Sequence, residues 1–124
     1  MAAFAALVLN NGTTNVSIAP SAIQEGVAFW RLAGGVFDAK VVITQSVTMP
    51  RGSSQVYRVK QKLVFPVMDT VDTSKKIGEM VQNVEYIIPK ASLSADRVKF
   101  WNTAKSLSAD AVTSAAVQDG EMVF

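Results

Sequence analysis

Residues 57–65 alternate between basic and apolar side chains, and this alternation constrains the fold more than any other feature of the sequence. Successive side chains of a β-strand point to opposite faces. Arg58, Lys60 and Lys62 therefore share one face. The other face carries Tyr57, Val59, Leu63 and Phe65, with Gln61 as the one exception. Such a strand is typical of an antiparallel sheet with one covered side. The basic face is either an ordinary solvated surface or a platform for phosphates, and this strand alone leaves both interpretations open.

Charge is segregated along the chain, although the net charge is only +2. Every charged residue between positions 39 and 68 is basic, and every charged residue after Lys105 is acidic. Segregation of this kind is the pattern to look for in nucleic-acid-binding proteins. The chain has 124 residues, of which 49% are hydrophobic. This length and composition predict a single domain over residues 1–124, with enough apolar surface for a core and a subunit interface.

Cysteine and histidine do not occur in the sequence. This excludes disulfides, thiol nucleophiles and zinc sites built on these residues, and it removes the commonest general base. The carboxylates fall mostly in predicted turns and helix starts, and no pair has the spacing of a catalytic dyad. We therefore predict that the protein is not an enzyme and needs no cofactor or metal. Residues 1–9 are apolar but too short to span a bilayer, so we predict a strand there and no membrane association.

Short alternating segments bounded by turn residues predict a series of β-strands. The Asn10-Asn11-Gly12-Thr13 segment predicts a hairpin turn, because Asn and Gly tolerate the positive φ that tight turns require. Pro20, Pro66 and Pro89 are each predicted to end a strand, since proline cannot donate to a sheet ladder. The predicted strands are 4–9, 16–19, 27–32, 40–47, 57–65 and 80–88, with a connection at 21–25 and turns or loops at 33–35, 50–54 and 72–78.

The hydrophobic period changes after residue 89. The segment Ser92-Leu93-Ser94-Ala95-Asp96 predicts a Ser-capped helix start with an acid in the first turn. Val98, Trp101 and Leu107 follow at helical spacing, with Ala104 or Lys105 between them. A second short helix is predicted over 109–118, closed by Gly120.

Strands followed by helices predict an α+β domain in which helices lie on one side of an antiparallel sheet. We expect the helices to cover the face that carries Trp30, Ile43 and Leu63. That arrangement leaves the Lys60 face open.

The open face collects cationic and small polar side chains if the three strands that carry them are neighbours. Arg and Lys bind phosphates, whereas Thr, Ser and Asn can hydrogen-bond to base edges. Phe29 is the one aromatic residue predicted on this face, which is few for a platform that stacks bases. The predicted face consists of Thr44, Ser46, Arg58, Lys60, Lys62, Asn83 and Glu85.

Two features indicate self-association. Phe100 and Trp101 lie on one short predicted helix, where they fill the core of their own subunit or anchor the helix to a second copy. The strand 80–88 carries little protection against edge pairing and ends in the apolar run Tyr86-Ile87-Ile88. Pairing of this strand with a second copy is therefore a reasonable hypothesis.

Five segments, taken in order and spacing, are similar to the coat proteins of single-stranded RNA bacteriophages, the levivirus family. The resemblance extends over essentially the whole chain and includes its length and helical tail. The segments are LVLNNGT (7–13), APS (19–21), GVAFW (26–30), YRVKQKLVFP (57–66) and NVEYIIP (83–89).

The resemblance implies an N-terminal β-hairpin over about 4–19, a five-stranded antiparallel sheet over about 27–88 and two C-terminal α-helices over about 94–118. It also implies an intertwined homodimer with a continuous ten-stranded sheet, whose helices cross onto the partner. Dimers would assemble into an icosahedral shell with T=3 symmetry. The loop 69–79 would line the symmetry axes of that shell. The implied dimer-interface residues are Tyr86, Ile88, Phe100 and Trp101.

The resemblance further implies that the inner sheet face binds a stem-loop of genomic RNA, for packaging and translational repression. The sequence departs from the family pattern at Val81, where members carry a Tyr that stacks a base, and at Val42 and Arg58, where they carry small polar residues. The protein would assemble in the bacterial host cytoplasm and reside in the virion capsid. A small cellular β-sheet module that binds single-stranded nucleic acid without forming a shell is the alternative. The implied RNA face is Lys40, Val42, Thr44, Ser46, Arg58, Lys60, Lys62, Val81, Asn83 and Glu85.

Overall fold

A computed structural model describes residues 4–32, 40–53, 55–72 and 75–121. The chain divides into two compact units, residues 1–87 and 88–124. The first holds a sheet in which each strand neighbours the next strand along the chain. The paired registers from β1 to β5 are all antiparallel. The strands are β1 (Leu7–Asn10), β2 (Asn15–Gln24), β3 (Val27–Arg31), β4 (Val42–Thr48), β5 (Val56–Met68) and β6 (Lys76–Pro89).

The N-terminal hairpin is confirmed, and its turn is held by asparagine side chains. The Oδ1 atom of Asn10 accepts the Gly12 N–H at 2.7 Å, and Oδ1 of Asn11 accepts the Thr13 and Thr14 N–H groups, both at 2.9 Å. Gly12 has φ +95, which a glycine adopts without steric strain. The predicted positive φ is thus confirmed at Gly12, whereas Asn10 and Asn11 stabilise the turn through their side chains.

Strand β2 corrects the prediction that Pro20 ends the strand and that 21–25 is a connection. β2 runs through Pro20 to Gln24, with a register shift between Pro20 and Ala22. β1 pairs with β2 only as far as Ile18, so Pro20 lies where β2 has β3 alone as its partner. A proline is tolerated on such an edge because no second ladder needs its N–H. The predicted hairpin and five-stranded sheet thus share β2 and together form six strands.

The hairpin between β5 and β6 is longer than predicted at both strands. β5 passes through Pro66 to Met68, and β6 begins at Lys76, within the segment predicted as loop. The β4 ladder ends at the pair Val42–Val64, so Pro66 lies beyond the last β4 partner. Strand pairing therefore decided these bounds. Composition alone placed the end of β5 too early and the start of β6 too late. The connection is short, and the Asp69 N–H donates to the Lys75 carbonyl oxygen at 2.8 Å. The turn predicted at 33–35 lies outside the described residues.

Ile18, Trp30 and Ile43 are buried and form the core of the first unit. The indole N–H of Trp30 donates to the Ala5 carbonyl oxygen at 2.8 Å, and the Phe4 ring meets the indole edge-on at 5.4 Å. The N-terminal hairpin thus supplies cover for the Trp30 and Ile43 face, and cover by the helices stays a prediction. The residues packed around this core are Leu7, Val16, Ala28, Leu32, Val41 and Leu63.

The second unit contains helices α1 (Ser94–Ala109) and α2 (Ala111–Asp119), which confirms the two predicted helices. The predicted serine cap is wrong: Leu93 occupies the N-cap position of α1 and makes no side-chain cap hydrogen bond. The Ser92 hydroxyl instead donates to the Pro89 carbonyl oxygen at 2.7 Å, and the Arg97 guanidinium donates to Ser92. This local network holds the turn between β6 and α1.

Helix α2 is capped by Asp110 at its N-terminus and by Gly120 at its C-terminus. Asp110 accepts the Val112 N–H at 2.9 Å, and Gly120 ends the helix in the left-handed region at φ 68, as predicted. No residue of either helix is buried within the chain. Neither described helix is long and apolar enough to cross a membrane.

Candidate nucleic-acid interface

Antiparallel register places the predicted basic and polar residues side by side. Thr44 lies opposite Lys62, Ser46 opposite Lys60, and Thr48 opposite Arg58. Residues directly opposite each other on one face have Cβ atoms about 4.5–5.5 Å apart. The hydroxyl row of β4 and the cationic row of β5 therefore form a single polar surface.

An open groove of about 410 Å³ runs across this surface. Six of the predicted residues line it: Thr44, Ser46, Lys60, Lys62, Asn83 and Glu85. Val27, Gln61 and Val84 also line it and were not in the predicted set. Lys40 lies two residues before β4, is half-buried and does not line the groove.

Glu85 brings β6 into contact with the cations of β5. Its Oε1 lies 3.4 Å from Arg58 Nη1, and its Oε2 lies 3.7 Å from Lys60 Nζ. The three side chains are 45%, 62% and 39% exposed for Arg58, Lys60 and Glu85 respectively. Ion pairs this open to water contribute only about 0–1 kcal/mol of stability, so a ligand can displace them. The sequence predicted that Glu85 lies on this face, but it did not predict that Glu85 pairs with Arg58 and Lys60. The only signal in the sequence was that Glu85 shares a strand face with Asn83.

The surface has little aromatic area. Phe29 lies opposite Thr44 in the β3–β4 register and belongs to the same face, as predicted. Val81 is 45% exposed. It occupies the position at which members of the family that the sequence resembles carry a Tyr that stacks a base. The groove is thus equipped for charge and hydrogen bonding more than for stacking.

The predicted self-association residues lie on two elements. Tyr86 and Ile88 are half-buried on β6, the last strand in the sheet order. Phe100 and Trp101, on α1, are 47% and 51% exposed. The side chains of adjacent helix residues point about 100° apart around the helix axis, so these two rings lie on different sides of α1. Large apolar side chains this open to solvent are typical of a surface that meets another molecule.

Among the residues that the structure describes, no group of three or more Cys, His, Asp or Glu side chains could hold a metal ion.

A model of the levivirus coat protein family matches residues 2–124. The fold is similar to the virus-like particle protein of Beihai levi-like virus 21, with a TM-score of 0.92 and 27% identity over 99% of both chains. It is also similar to the bacteriophage GA capsid protein (TM-score 0.71, 19% identity, 98% of this chain and 97% of that chain). An unassembled virus coat protein dimer described as a bacteriophage RNA-binding dimer has a TM-score of 0.74 and 18% identity over 98% of both chains. No curated protein sequence matches the chain.

Proposed function

The chain belongs to the levivirus coat protein family and is a bacteriophage capsid protein, and we propose that it works as a homodimer that builds an icosahedral shell and binds genomic RNA on its sheet. The proposal has three parts: dimer formation, shell formation and RNA capture. Each part rests on different residues and is tested separately.

Dimer formation would use the outer edge of β6. This strand spans Lys76–Pro89 and is last in the sheet order, so its outer backbone groups are available to a further strand. An exposed strand edge is a template for pairing with another chain. Joining two copies through β6, with Tyr86 and Ile88 near the seam, would make one sheet in which β2–β6 of each copy supply the ten strands that the family resemblance implies.

The helices support the same arrangement. No residue of α1 or α2 is buried within the chain, although α1 carries Phe100 and Trp101. A buried aromatic side chain removes about 150–250 Å² of surface from water. We propose that α1 packs on the partner subunit and that this exchange makes the dimer intertwined. The single domain expected over residues 1–124 stays a prediction.

Shell formation is supported by the similarity to a chain from a virus-like particle, at 27% identity over 99% of both chains. We propose a T=3 shell in which the 69–79 segment contacts the symmetry axes. No catalytic activity or cofactor is required for this role, which rests on self-assembly.

RNA capture is carried by one observation: Lys60 and Lys62 share an open groove with Thr44, Ser46 and Asn83. Lysines neutralise phosphates, while hydroxyl and amide groups hydrogen-bond to bases in single-stranded loops. A similar fold occurs in a coat protein dimer described as RNA-binding. We propose that the ligand is a genomic stem-loop, bound for packaging and translational repression in the host cytoplasm. Val81 cannot stack a base as an aromatic ring does, so the affinity depends more on charge.

Native mass of the purified recombinant protein, with absorbance at 260 and 280 nm, tests the proposal. We expect a megadalton particle with nucleic-acid absorbance. A dimer-sized species that stays free of nucleic acid when RNA is added would contradict shell formation and packaging. A dimer-sized species that binds single-stranded RNA would favour the small binding module instead.

A further inference from the structure

We propose that Glu85 acts as an internal competitor for RNA phosphate, so that backbone capture by each subunit is concentrated at Lys62. Glu85 thereby becomes a specificity-determining residue of the RNA face. This inference rests on the proposed RNA-binding function and adds a division of labour among the three cations of β5.

The geometry distinguishes Lys62 from its two neighbours. Arg58 and Lys60 both face the Glu85 carboxylate, at 3.4 and 3.7 Å, and each of its oxygens is directed to one of them. Among the described residues, no carboxylate lies within ion-pair distance of Lys62. Lys62 lies instead opposite the hydroxyl-bearing Thr44 in the β4–β5 register.

The charge arrangement determines where a phosphate can bind. A phosphate that approaches Arg58 or Lys60 must either displace the Glu85 carboxylate or bind beside it. Like charges at such separations repel each other, whereas a phosphate at Lys62 meets a cation without a competing anion. The Arg58–Lys60 part of the face therefore discriminates against bare polyanions.

This discrimination has a functional consequence. Electrostatic phosphate contacts supply essentially all of the non-specific binding of nucleic acids. Holding two of three cations in internal pairs keeps that binding weak, and it leaves the hydrogen-bonding groups of Thr44, Ser46 and Asn83 to select the RNA. A coat protein must find its own genome among host RNAs, and an internal anion favours that selection.

The test uses full-length protein stripped of RNA, with inorganic polyphosphate and a single-stranded oligouridylate as probes. We expect Glu85→Gln to bind both probes about 3- to 10-fold more tightly at low salt, because it removes two exposed ion-pair contacts. The slope of log K against log salt should steepen by about 0.7, the value for one additional single-strand phosphate contact. Glu79→Gln is the matched control, since Glu79 lies on the same strand, pairs with Lys76 at 3.1 Å and loses the same charge. It should change affinity less than 2-fold.

A mutant cycle completes the experiment. Lys62→Ala should weaken binding strongly in the native background, whereas Lys60→Ala should change it less than 2-fold. In the Glu85→Gln background, Lys60→Ala should become clearly weakening. Equal losses from Lys60→Ala and Lys62→Ala in the native protein, or no gain from Glu85→Gln beyond the Glu79→Gln control, would overturn the inference while leaving the RNA face intact. Unchanged binding in Lys62→Ala would instead contradict the proposed RNA face itself.

Discussion

Trp30 and Ala5 are joined by a hydrogen bond of 2.8 Å between the indole Nε1 and the backbone carbonyl oxygen, across 25 positions of sequence. Trp30 is buried with Ile18 and Ile43, so this bond ties the segment before β1 to the core of the sheet. The same indole meets the Phe4 ring edge-on. The N-terminal hairpin is thus held by a directional contact in addition to apolar burial.

Trp30→Phe should lower the free energy of unfolding by about 1–3 kcal/mol, because the Ala5 carbonyl loses its donor in a partly buried site. Denaturant unfolding at fixed protein concentration measures the change. Phe29→Leu is the control, since Phe29 lies on the opposite face of the same strand. A Trp30→Phe protein as stable as the native chain would show that the hydrogen bond does not hold the hairpin.

Two glycines provide a test of backbone conformation. Gly26 has φ +79 in the turn between β2 and β3, beside Glu25 at φ 51, whereas Gly78 lies within β6. A Cβ at either position meets no atom within 4 Å, so only the backbone angle distinguishes them. Gly26→Ala should destabilise the protein by about 1–2 kcal/mol through left-handed strain. Gly78→Ala should be neutral or stabilising by up to about 1 kcal/mol, since glycine weakens a strand interior. Thermal unfolding of both variants measures this, and equal shifts would contradict the assigned turn.

Lys60→Ala with Lys62→Ala should leave the dimer intact but weaken RNA binding. The slope of log K against log salt should flatten by about 0.7–1.4, since each lost single-strand phosphate contact removes about 0.7. Lys75→Ala with Lys76→Ala removes the same charge outside the groove and serves as the control. If affinity and salt slope match those of the control, the basic strand is not the RNA platform.

Trp101→Ala should disrupt the dimer, because removal of a buried Trp typically costs about 3–5 kcal/mol. Trp101 is 51% exposed within one chain. The full free-energy cost is therefore expected only if the partner subunit covers the indole. Light scattering after size exclusion, over a concentration series, measures dimer dissociation. Val71→Ala is the control, at a position that is 93% exposed. A Trp101→Ala dimer as tight as the native one would remove the role of α1 as an anchor.

The parts of the fold that could be predicted from the sequence are those with local causes. Alternation around Lys60 predicted a two-faced strand, Asn11 and Gly12 predicted the hairpin turn, and Gly120 predicted the end of α2. In each case the deciding interaction lies within a few residues of the signal, as with the asparagine side chains that accept N–H groups two and three positions away.

The wrongly predicted strand ends concern elements whose partners are distant in sequence. Pro20 and Pro66 looked like strand ends, but each lies where a neighbouring ladder has already stopped, so the missing N–H is not needed there. The wrong prediction at Ser92 has a local cause, because its hydroxyl donates to the carbonyl oxygen of Pro89, three residues earlier, instead of capping α1. Composition cannot reveal which backbone groups will already be paired.

The sequence by itself determined the class of the fold, the two faces of the central strand and the absence of Cys and His chemistry, because periodicity, turn residues and residue types act locally. Only the tertiary structure decided the strand bounds, the hairpin cover over Trp30 and the pairing of Glu85 with Arg58 and Lys60. These depend on which strands become neighbours and in what register, and a one-residue change in register would move every side chain to the other face. The charge at the groove is therefore a product of strand pairing as much as of the residues that carry it.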